Sequence, residues 1–380
     1  MAVASIQQML SVTYTSKAIS RVAASTNFVQ REFGMQPGGK NESKVGHRRF
    51  SYDVFNDTRK IGRSVAPGQP AAISSRNPVG VVSNTFPRMH DSMVLLLDEI
   101  HNYRAIGGPN QVYDEKGAKY IQRQQRFLGQ KAGNFRSLLV GGMLRGAVYA
   151  HATGNDLYYD YTSSGAIWTV DFQIPSGNKT QLDMLGAGNI LDISWANPGA
   201  NIPNHLGKIN AAFQQLVGSS LQLCICNNTT WNYIVNNDYV IQNAGSVASP
   251  FDIWKREEGV AENGRRYTIQ QASLKAFPLC RFIITDEGLD VGAPGSETYT
   301  KFLPDGAVWF GPEPDPDYFE MLLGDEPISK GPNMAAEVLS GLNAWTVANH
   351  NPTSIQMFVL DNPMPALYVP AATAYGTTVF

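Results

Sequence analysis

Few residues of this 380-residue chain have the types and spacing that catalysis or ligand binding would need. The spacing Gly34-x-x-x-x-Gly39-Lys40 is that of a loop that cradles phosphate groups. Such a loop also needs a strand before it, a helix after it and a hydroxyl for Mg²⁺. Here Asn41 replaces that hydroxyl and Pro37 interrupts the loop. The sequence therefore predicts a turn at this position, and a cytosolic nucleotide-using enzyme is the least favoured function.

The histidines, cysteines and carboxylates also lack the spacing of a reactive site. The six histidines are scattered, without the His and Cys spacing of a zinc site. Cys224 and Cys226 alternate along an apolar run, so we expect them to point to opposite faces of a strand as small buried side chains. The acidic residues at 98–99 and in 313–317 are typical of solvated loops. We therefore predict no enzyme activity, no cofactor and no metal.

Composition favours a globular protein of a reducing, aqueous compartment. Hydrophobic residues make up 43% of the chain and charged residues only 16%, so a large core can form. The three cysteines are odd in number, which argues against a disulfide framework. The sequence shows neither a secretion signal nor an apolar run long enough to span a membrane.

The charges are unevenly distributed along the chain. Residues up to His151 include 20 basic and 9 acidic side chains, whereas the remainder has 10 basic and 23 acidic ones. A basic half is typical of contact with a polyanion, and an acidic half keeps a surface soluble. Pairing of the two halves across subunits explains the asymmetry equally well.

The first hundred residues read as two projecting segments. Residues 1–46 have little apolar periodicity and predict an extended arm. Strand-like runs at 47–56 and 79–97 flank a segment rich in Gly and Pro at 62–78, which predicts a two-stranded flap. Such a flap is too small to bury its own apolar residues, so we expect it to lie on a neighbour.

A long helix is predicted over 115–150. Its apolar positions recur at helical spacing, and four cations fall roughly opposite them. Gly141 and Gly142 predict a bend or break in the helix. The apolar stripe is Ile121, Leu128, Ala132, Phe135, Leu139 and Met143, and the basic face is Lys116, Lys119, Arg123 and Arg126.

The rest of the chain mixes strands and helices without regular alternation, which indicates an α+β fold. The expected elements are a strand pair within 157–174 turning at 163–165, a helix from Pro203 to about 217, a strand at 221–226, a helix capped by residues 228–230, strands at 266–271, 281–285 and 307–310, and a final extended segment at 354–368 broken at Pro363 and Pro365.

In this order of elements the sequence resembles the major capsid proteins of tailed bacteriophages, in the lambda-like major capsid protein E family with the Hong Kong 97 type fold. Two segments carry the resemblance. The first, at 301–306, reads KFLPDG and leads into the strand at 307–311. The second begins with the sequence WTVANHNP at 345–352 and ends with PMPAL at 363–367.

The resemblance implies a domain plan and a set of partners. Subunits of this family form hexamers and pentamers of an icosahedral head, with portal, scaffolding and decoration proteins as partners and no membrane. It places the protein in the virion capsid, and in the host cytoplasm during assembly. The implied parts are an N-terminal arm at 1–46, an extended two-stranded loop at 47–97, a peripheral domain at 98–180 with a spine helix at 115–150, an axial domain at 181–335, and a C-terminal return to the peripheral domain at 336–380.

Two sets of basic residues are candidate functional sites. We expect the basic face to point into the lumen and to contact packaged double-stranded DNA without reading its sequence. The cations of the flap, Arg59, Lys60, Arg63 and Arg76, are predicted to lie in a loop between subunits. Some relatives join neighbours through a Lys-Asn bond, but no partner for Lys60 can be matched in this sequence. A shell protein of an encapsulin compartment, which has the same fold, is the alternative function.

Overall fold

The longest helix of the protein contains the predicted apolar stripe. The fold comes from a computed structural model, which describes residues 12–24, 27–55, 79–96, 115–154, 156–244, 249–260, 266–293, 295–328, 337–350 and 353–380. Within these ranges the helices are α1 (Val12–Ala24), α2 (Phe28–Glu32), α3 (Glu115–Arg145), α4 (Ile202–Leu216), α5 (Asn228–Val235) and α6 (Asp238–Asn243).

The strands confirm an α+β fold. In chain order they are β1 (Glu42–Val45), β2 (Arg49–Phe55), β3 (Val79–Thr85), β4 (Met89–Leu96), β5 (Ala147–Thr153), β6 (Asp156–Asp160), β7 (Trp168–Asp171), β8 (Lys179–Thr180), β9 (Leu223–Cys226), β10 (Phe251–Val260), β11 (Arg266–Leu274), β12 (Phe277–Ile284), β13 (Gly288–Val291), β14 (Thr298–Lys301), β15 (Ala307–Gly311), β16 (Phe319–Ile328), β17 (Glu337–Ser340), β18 (Asn343–His350), β19 (Thr353–Asp361), β20 (Pro363–Leu367) and β21 (Ala374–Thr377).

The strands associate into sheets of very different size. The largest described sheet has the order β10-β11-β12-β9-β15-β21-β8, and smaller ones have the orders β18-β19-β4 and β6-β5-β7. In addition, β16 pairs with β1, β17 and β20, while β2-β3 and β13-β14 are two-stranded ribbons. Since β9 and β12 are parallel neighbours in a largely antiparallel sheet, the chain must cross over between them, and α5 and α6 lie in that connection.

The predicted helix at 115–150 is confirmed in its first part and wrong at its end. α3 stops at Arg145, because Gly146 has the left-handed φ of +92° that ends a helix, and β5 follows at once. The predicted break near Gly141 is also wrong, since α3 continues through this residue. Gly141 faces Tyr161 and Phe302, and a Cβ there would lie 2.7 Å from Phe302 Cδ1. Close packing therefore explains this glycine.

The predicted extended arm at 1–46 is wrong over much of its described length. α1 packs along α3, with Gln125 Nε2 donating to Thr15 Oγ1 at 3.1 Å. Gly129 permits this close approach, since a Cβ there would lie 2.8 Å from Val22 Cβ. Further along, Phe33 is fully buried in the main core. These residues are an integral part of the subunit.

The two-stranded flap is confirmed where the structure describes it. β2 and β3 pair antiparallel from Arg49 opposite Thr85 to Phe55 opposite Val79. Alternate side chains of β2 are buried, and Tyr52 packs edge-on against Tyr368 with ring centroids 5.7 Å apart. The base of the flap thus lies on its own subunit, which corrects the expectation that only a neighbour could cover it. The second run is split, because β4 leaves the flap and pairs with β19.

The remaining expectations were mostly accurate, with two local corrections. The predicted pair within 157–174 is wrong, since β6 and β7 both pair with β5, which lies between them. The helix after the strand at 223–226 is capped one residue earlier than expected, by Asn227, whose side chain accepts from Thr230 N–H at 2.8 Å. The predicted strands near 266, 281 and 307 and the helix at Pro203 are confirmed.

Three apolar clusters hold these elements together. The largest joins α2, α3, β2 and β16, a second surrounds α4 and one face of the large sheet, and a third lies between α1, α3 and the β18-β19-β4 sheet. The length of α3 thus connects two of the three clusters. Among the described residues, no helix is both long enough and apolar enough to cross a membrane.

Candidate functional site

The loop with phosphate-binding spacing has its backbone donors engaged within the chain. Gly39 N–H donates to Gln36 O at 2.7 Å, and Gly38 N–H donates to a carboxylate oxygen of Glu42 at 2.9 Å. A carboxylate at this position would repel a phosphate. Residues 42–45 form β1 instead of a helix, so the dipole that such a site needs is missing. The prediction of a turn is confirmed.

The three cysteines are buried. Cys224 and Cys226 lie in β9 and are fully buried, as expected. The expectation that they point to opposite faces is wrong, because residues two apart on a strand share a face, and both belong to the apolar cluster around α4. Cys280 Sγ lies 3.0 Å from Cys224 Sγ. Burial raises the pKa of Cys224 and of Cys226 far above the ordinary value. These thiols therefore lack the thiolate character of a nucleophile or a metal ligand. In the described part of the chain, no group of three or more His, Cys, Asp or Glu side chains is placed to hold a metal ion.

Two histidines have structural hydrogen bonds. His151 Nε2 lies 2.8 Å from Asp160 Oδ1, across the β5-β6 pair. His205 accepts from Trp195 Nε1 through Nδ1 at 3.0 Å, and its Nε2 lies 2.9 Å from Asp192 Oδ1. The Trp195 contact requires an unprotonated Nδ1, so this network favours neutral His205. These histidines stabilise local structure instead of forming a catalytic centre.

The His205 network predicts a pH dependence of stability. Burial lowers the pKa of His205, and the charge of Asp192 only partly opposes that effect. The unfolded chain therefore binds a proton more readily than the folded one, and stability should fall as pH drops through the ordinary histidine pKa of about 6.5 toward the lower folded value. Urea unfolding from about pH 7.5 to about pH 5 should show this loss, and His205→Gln should have a shallower decline. An identical decline in both proteins would contradict the assignment.

The predicted basic face is exposed on α3. Lys119, Arg123 and Arg126 are exposed, while Ile121 and Leu128 of the opposite stripe are fully buried. Lys116 lies in the first turn, and its side chain is outside the described residues. In the described part of the chain, the ion pairs of α3 belong to other residues, which are Lys131 and Arg136.

Sequence reasoning missed the contribution of α1 to this surface. Lys17 and Arg21 are exposed and lie four residues apart, so they share one side of α1. Ile19 and Ala23 are fully buried against α3 on the other side. The buried positions 19, 22 and 23 are a short helical pattern that could have revealed this helix. The flap cations Arg59, Lys60, Arg63 and Arg76 all fall outside the described residues.

A buried ionic cluster, also missed, joins three distant segments. Arg136 of α3 is fully buried and pairs with Asp361 of β19, with an Nε to Oδ2 distance of 2.6 Å and an Nη2 to Oδ1 distance of 3.0 Å. Its Nη1 also lies 2.6 Å from Glu42 Oε1 of β1. The cluster fixes the N-terminal segment and the C-terminal strand on the same turn of α3.

Two further contacts attach the chain around α2. The carboxylate of Glu287 accepts from the N–H groups of Phe28 and Val29 at 2.7 and 3.0 Å, at the start of α2. Burial raises the pKa of Glu287, although these amides act against the increase. Arg281 of the large sheet pairs with Glu32 at 2.6 Å. Glu287, Arg281 and Glu32 therefore attach α2 to the rest of the subunit.

Comparisons with known proteins agree with a structural role. The model of the family described as phage major capsid protein E matches residues 16–378. Among curated proteins, none matches the chain.

Several solved structures are similar to this chain at low sequence identity. The putative capsid protein of a prophage of Escherichia coli CFT073 is 13% identical, with a TM-score of 0.54 over 97% of this chain and 99% of that one. A phage-related protein of Bordetella bronchiseptica RB50 is 10% identical, with a TM-score of 0.49 over 97% of each chain. An encapsulin complex of Synechococcus elongatus is 9% identical, with a TM-score of 0.42 over 89% of this chain and 85% of that one.

The family match spans almost the whole chain, and the first of these structures supports the Hong Kong 97 type fold that the resemblance implied. Both observations agree with a chain whose charged and polar clusters hold elements together. The chain belongs to the phage major capsid protein E family, and it is a shell-forming structural protein of the virion capsid.

Proposed function

We propose that this protein assembles as hexamers and pentamers into the icosahedral head of a tailed phage and encloses its double-stranded DNA. Assembly takes place in the host cytoplasm with separate scaffolding and portal proteins, and decoration proteins add to the outer surface. Family membership supports the shell role. The exposed cationic face of α3 supports an enclosed polyanion.

The domain plan is part of this proposal. It comprises an N-terminal arm at 1–46 that packs on α3 through α1, an extended two-stranded loop at 47–97, a peripheral domain at 98–180, an axial domain at 181–335 and a C-terminal return at 336–380. Apart from Ala374, the buried residues of the cluster around α4 all lie within 181–335, which supports an axial part. The loop carrying Arg59, Lys60, Arg63 and Arg76 lies between subunits in this proposal. Phe55 and Val81, at the outer end of the described flap, are 46% and 54% exposed, which suits a contact with another copy.

The observation that carries the DNA-facing role is the separation of charge and apolar surface on α3. No acidic residue occurs between Lys116 and Arg145, so Glu115 at the first position is the one acidic residue of α3. The buried stripe anchors α3 from the opposite side, which leaves the cations toward the open side. Such a face attracts a phosphate backbone through counterion release, without any sequence preference.

Reversing two of these charges tests the role. Particles of Lys119→Glu with Arg123→Glu should form in normal numbers but retain several-fold fewer full-length genomes. The loss should grow at low salt, because screening weakens as the Debye length increases. Particle counts by electron microscopy and DNA content per particle measure the two effects separately.

The matched control is Lys44→Glu with Lys208→Glu, which makes the same charge change at exposed positions outside α1 and α3. It should retain the genome normally. If the α3 variant forms no shells although its subunit is folded by circular dichroism, the basic face belongs to a subunit contact and the lumen assignment is wrong.

A further inference from the structure

An open groove lies between α1 and α3, on the same side as the basic face. It encloses about 450 Å³. Both helices contribute polar and cationic side chains to its walls. The lining includes Tyr14, Lys17 and Arg21 of α1 and Gln122, Gln125 and Arg126 of α3.

The groove has a defined shape because the two helices are held at a fixed distance below it. Gln125 contacts Thr15, and further along Gly129 meets Val22, so the helices run side by side in the same direction. The backbones of α1 and α3 approach closely at Gly129, since a Cβ there would also lie 2.9 Å from Ile19 O. The lining side chains therefore stand on two rigid walls.

The chemistry of both walls suits an anion with several oxygens. Neither α1 nor the part of α3 from Lys116 onward contains an acidic residue. The guanidinium of Arg126 is planar and has several N–H donors, so it matches the arrangement of phosphate oxygens. The ammonium group of Lys17 adds a positive charge on a flexible side chain. Gln122 adds a neutral donor. Phosphate oxygens accept from all of these groups.

We propose that this groove binds the phosphodiester backbone of the enclosed double-stranded DNA through Lys17 on one wall and Arg126 on the other. The proposal rests on the proposed function, because packaged DNA meets only an inward-facing surface. It goes further than that function, because it assigns one wall of the binding site to α1. Tyr14 is the one aromatic residue among the described lining residues, and these residues show no base-reading pattern, so we expect binding to be independent of sequence.

Salt-dependent binding to unassembled full-length subunits tests the groove directly. The probe is a fluorescent DNA duplex of mixed sequence, titrated at several KCl concentrations. The variant Lys17→Gln with Arg126→Gln should reduce the slope of log K against log salt by about 1.8, since each lost phosphate contact removes about 0.9. Lys44→Gln with Lys208→Gln is the control and should keep the wild-type slope. A wild-type slope in the groove variant would overturn the proposal.

A second variant changes the groove without changing charge. Gly129→Ala should push α1 away from α3 and weaken DNA binding, because the added methyl group collides with Val22. Gly207→Ala is the matched control in α4, where a Cβ meets nothing within 4 Å, and it should bind as wild type does. Unchanged binding by Gly129→Ala would show that the two walls do not act together and would overturn the groove.

The outcomes separate this inference from the proposed function. If Lys119→Glu with Arg123→Glu loses genomes while the Lys17 and Arg126 variant keeps its salt slope, the lumen role stands and the groove fails. If genome retention is normal in the first variant, the DNA-facing role itself fails. If the Lys17 and Arg126 variant is folded but does not assemble, the groove holds carboxylates of another copy, which overturns the DNA assignment.

Discussion

Replacing Arg136 by methionine should lower the free energy of unfolding of the subunit by about 3–5 kcal/mol, the usual cost of removing one partner of a buried ion pair. Arg136 and Asp361 are both fully buried, and their paired distances are 2.6 and 3.0 Å. Methionine fills much of the space of the arginine stem but leaves Asp361 and Glu42 without their common cation. Urea unfolding of the full-length subunit measures the loss.

The physical reason is the cost of an uncompensated charge in the core. Burial raises the pKa of Asp361, and Arg136 opposes this increase. Burial alone would lower the pKa of Arg136, but the neighbouring carboxylates of Asp361 and Glu42 outweigh this effect, so the pKa of Arg136 is raised. Without Arg136, Asp361 should take up a proton more readily in the folded state than in the unfolded chain. The variant should therefore recover stability as pH falls, because the folded state then binds more protons.

Two further variants make the Arg136 result specific. Arg48→Met breaks an exposed pair with Glu326, whose atoms are 3.0 Å apart, and should cost at most about 1 kcal/mol. Adding Asp361→Asn to Arg136→Met should restore part of the loss, since it removes the buried charge. A loss no larger than that of Arg48→Met would show that the cluster does not stabilise the subunit.

The parts of the fold predicted from sequence were those with a strong local pattern. The stripe from Ile121 to Met143 has helical spacing over several turns, and its residues are buried apart from Phe135, which is partly buried. Pro203 and Gly218 marked the ends of α4 correctly, since proline suits a first turn and Gly218 has a φ of +84°. Such signals depend only on neighbours in the chain.

The errors came from long-range contacts that leave little local trace. Gly141 lowers helix propensity, but its packing against Phe302 decides the structure. A turn at 163–165 gave no sign that β5 would come between β6 and β7. Arg136 reads as one more exposed cation of α3, because its partners are 94 and 225 residues away. The exposure of the basic face could be predicted, because the cations and the apolar stripe lie on opposite sides of one helix and follow its local periodicity.

The N-terminal segment shows the same limit most clearly, and it gives the second large effect. Phe33→Ala should lower the free energy of unfolding by about 3–5 kcal/mol, because a buried aromatic side chain is removed and a cavity remains. Phe33 is fully buried between two strands of the main core. Its ring lies edge-on to Trp309 and to Phe319, with centroids 5.6 and 5.0 Å away. An arm that merely lay on the surface would have no such contacts.

Phe380→Ala provides the control, because that side chain is 57% exposed and its removal should change stability by no more than about 0.5 kcal/mol. The two variants remove the same atoms, so the difference between them reports burial alone. A large loss for Phe33→Ala means that the segment from α2 to β1 must dock before the subunit core is complete. Shell assembly would then start from subunits whose N-terminal segment is already in place. Equal, small losses for both variants would instead restore the extended arm that the sequence predicted.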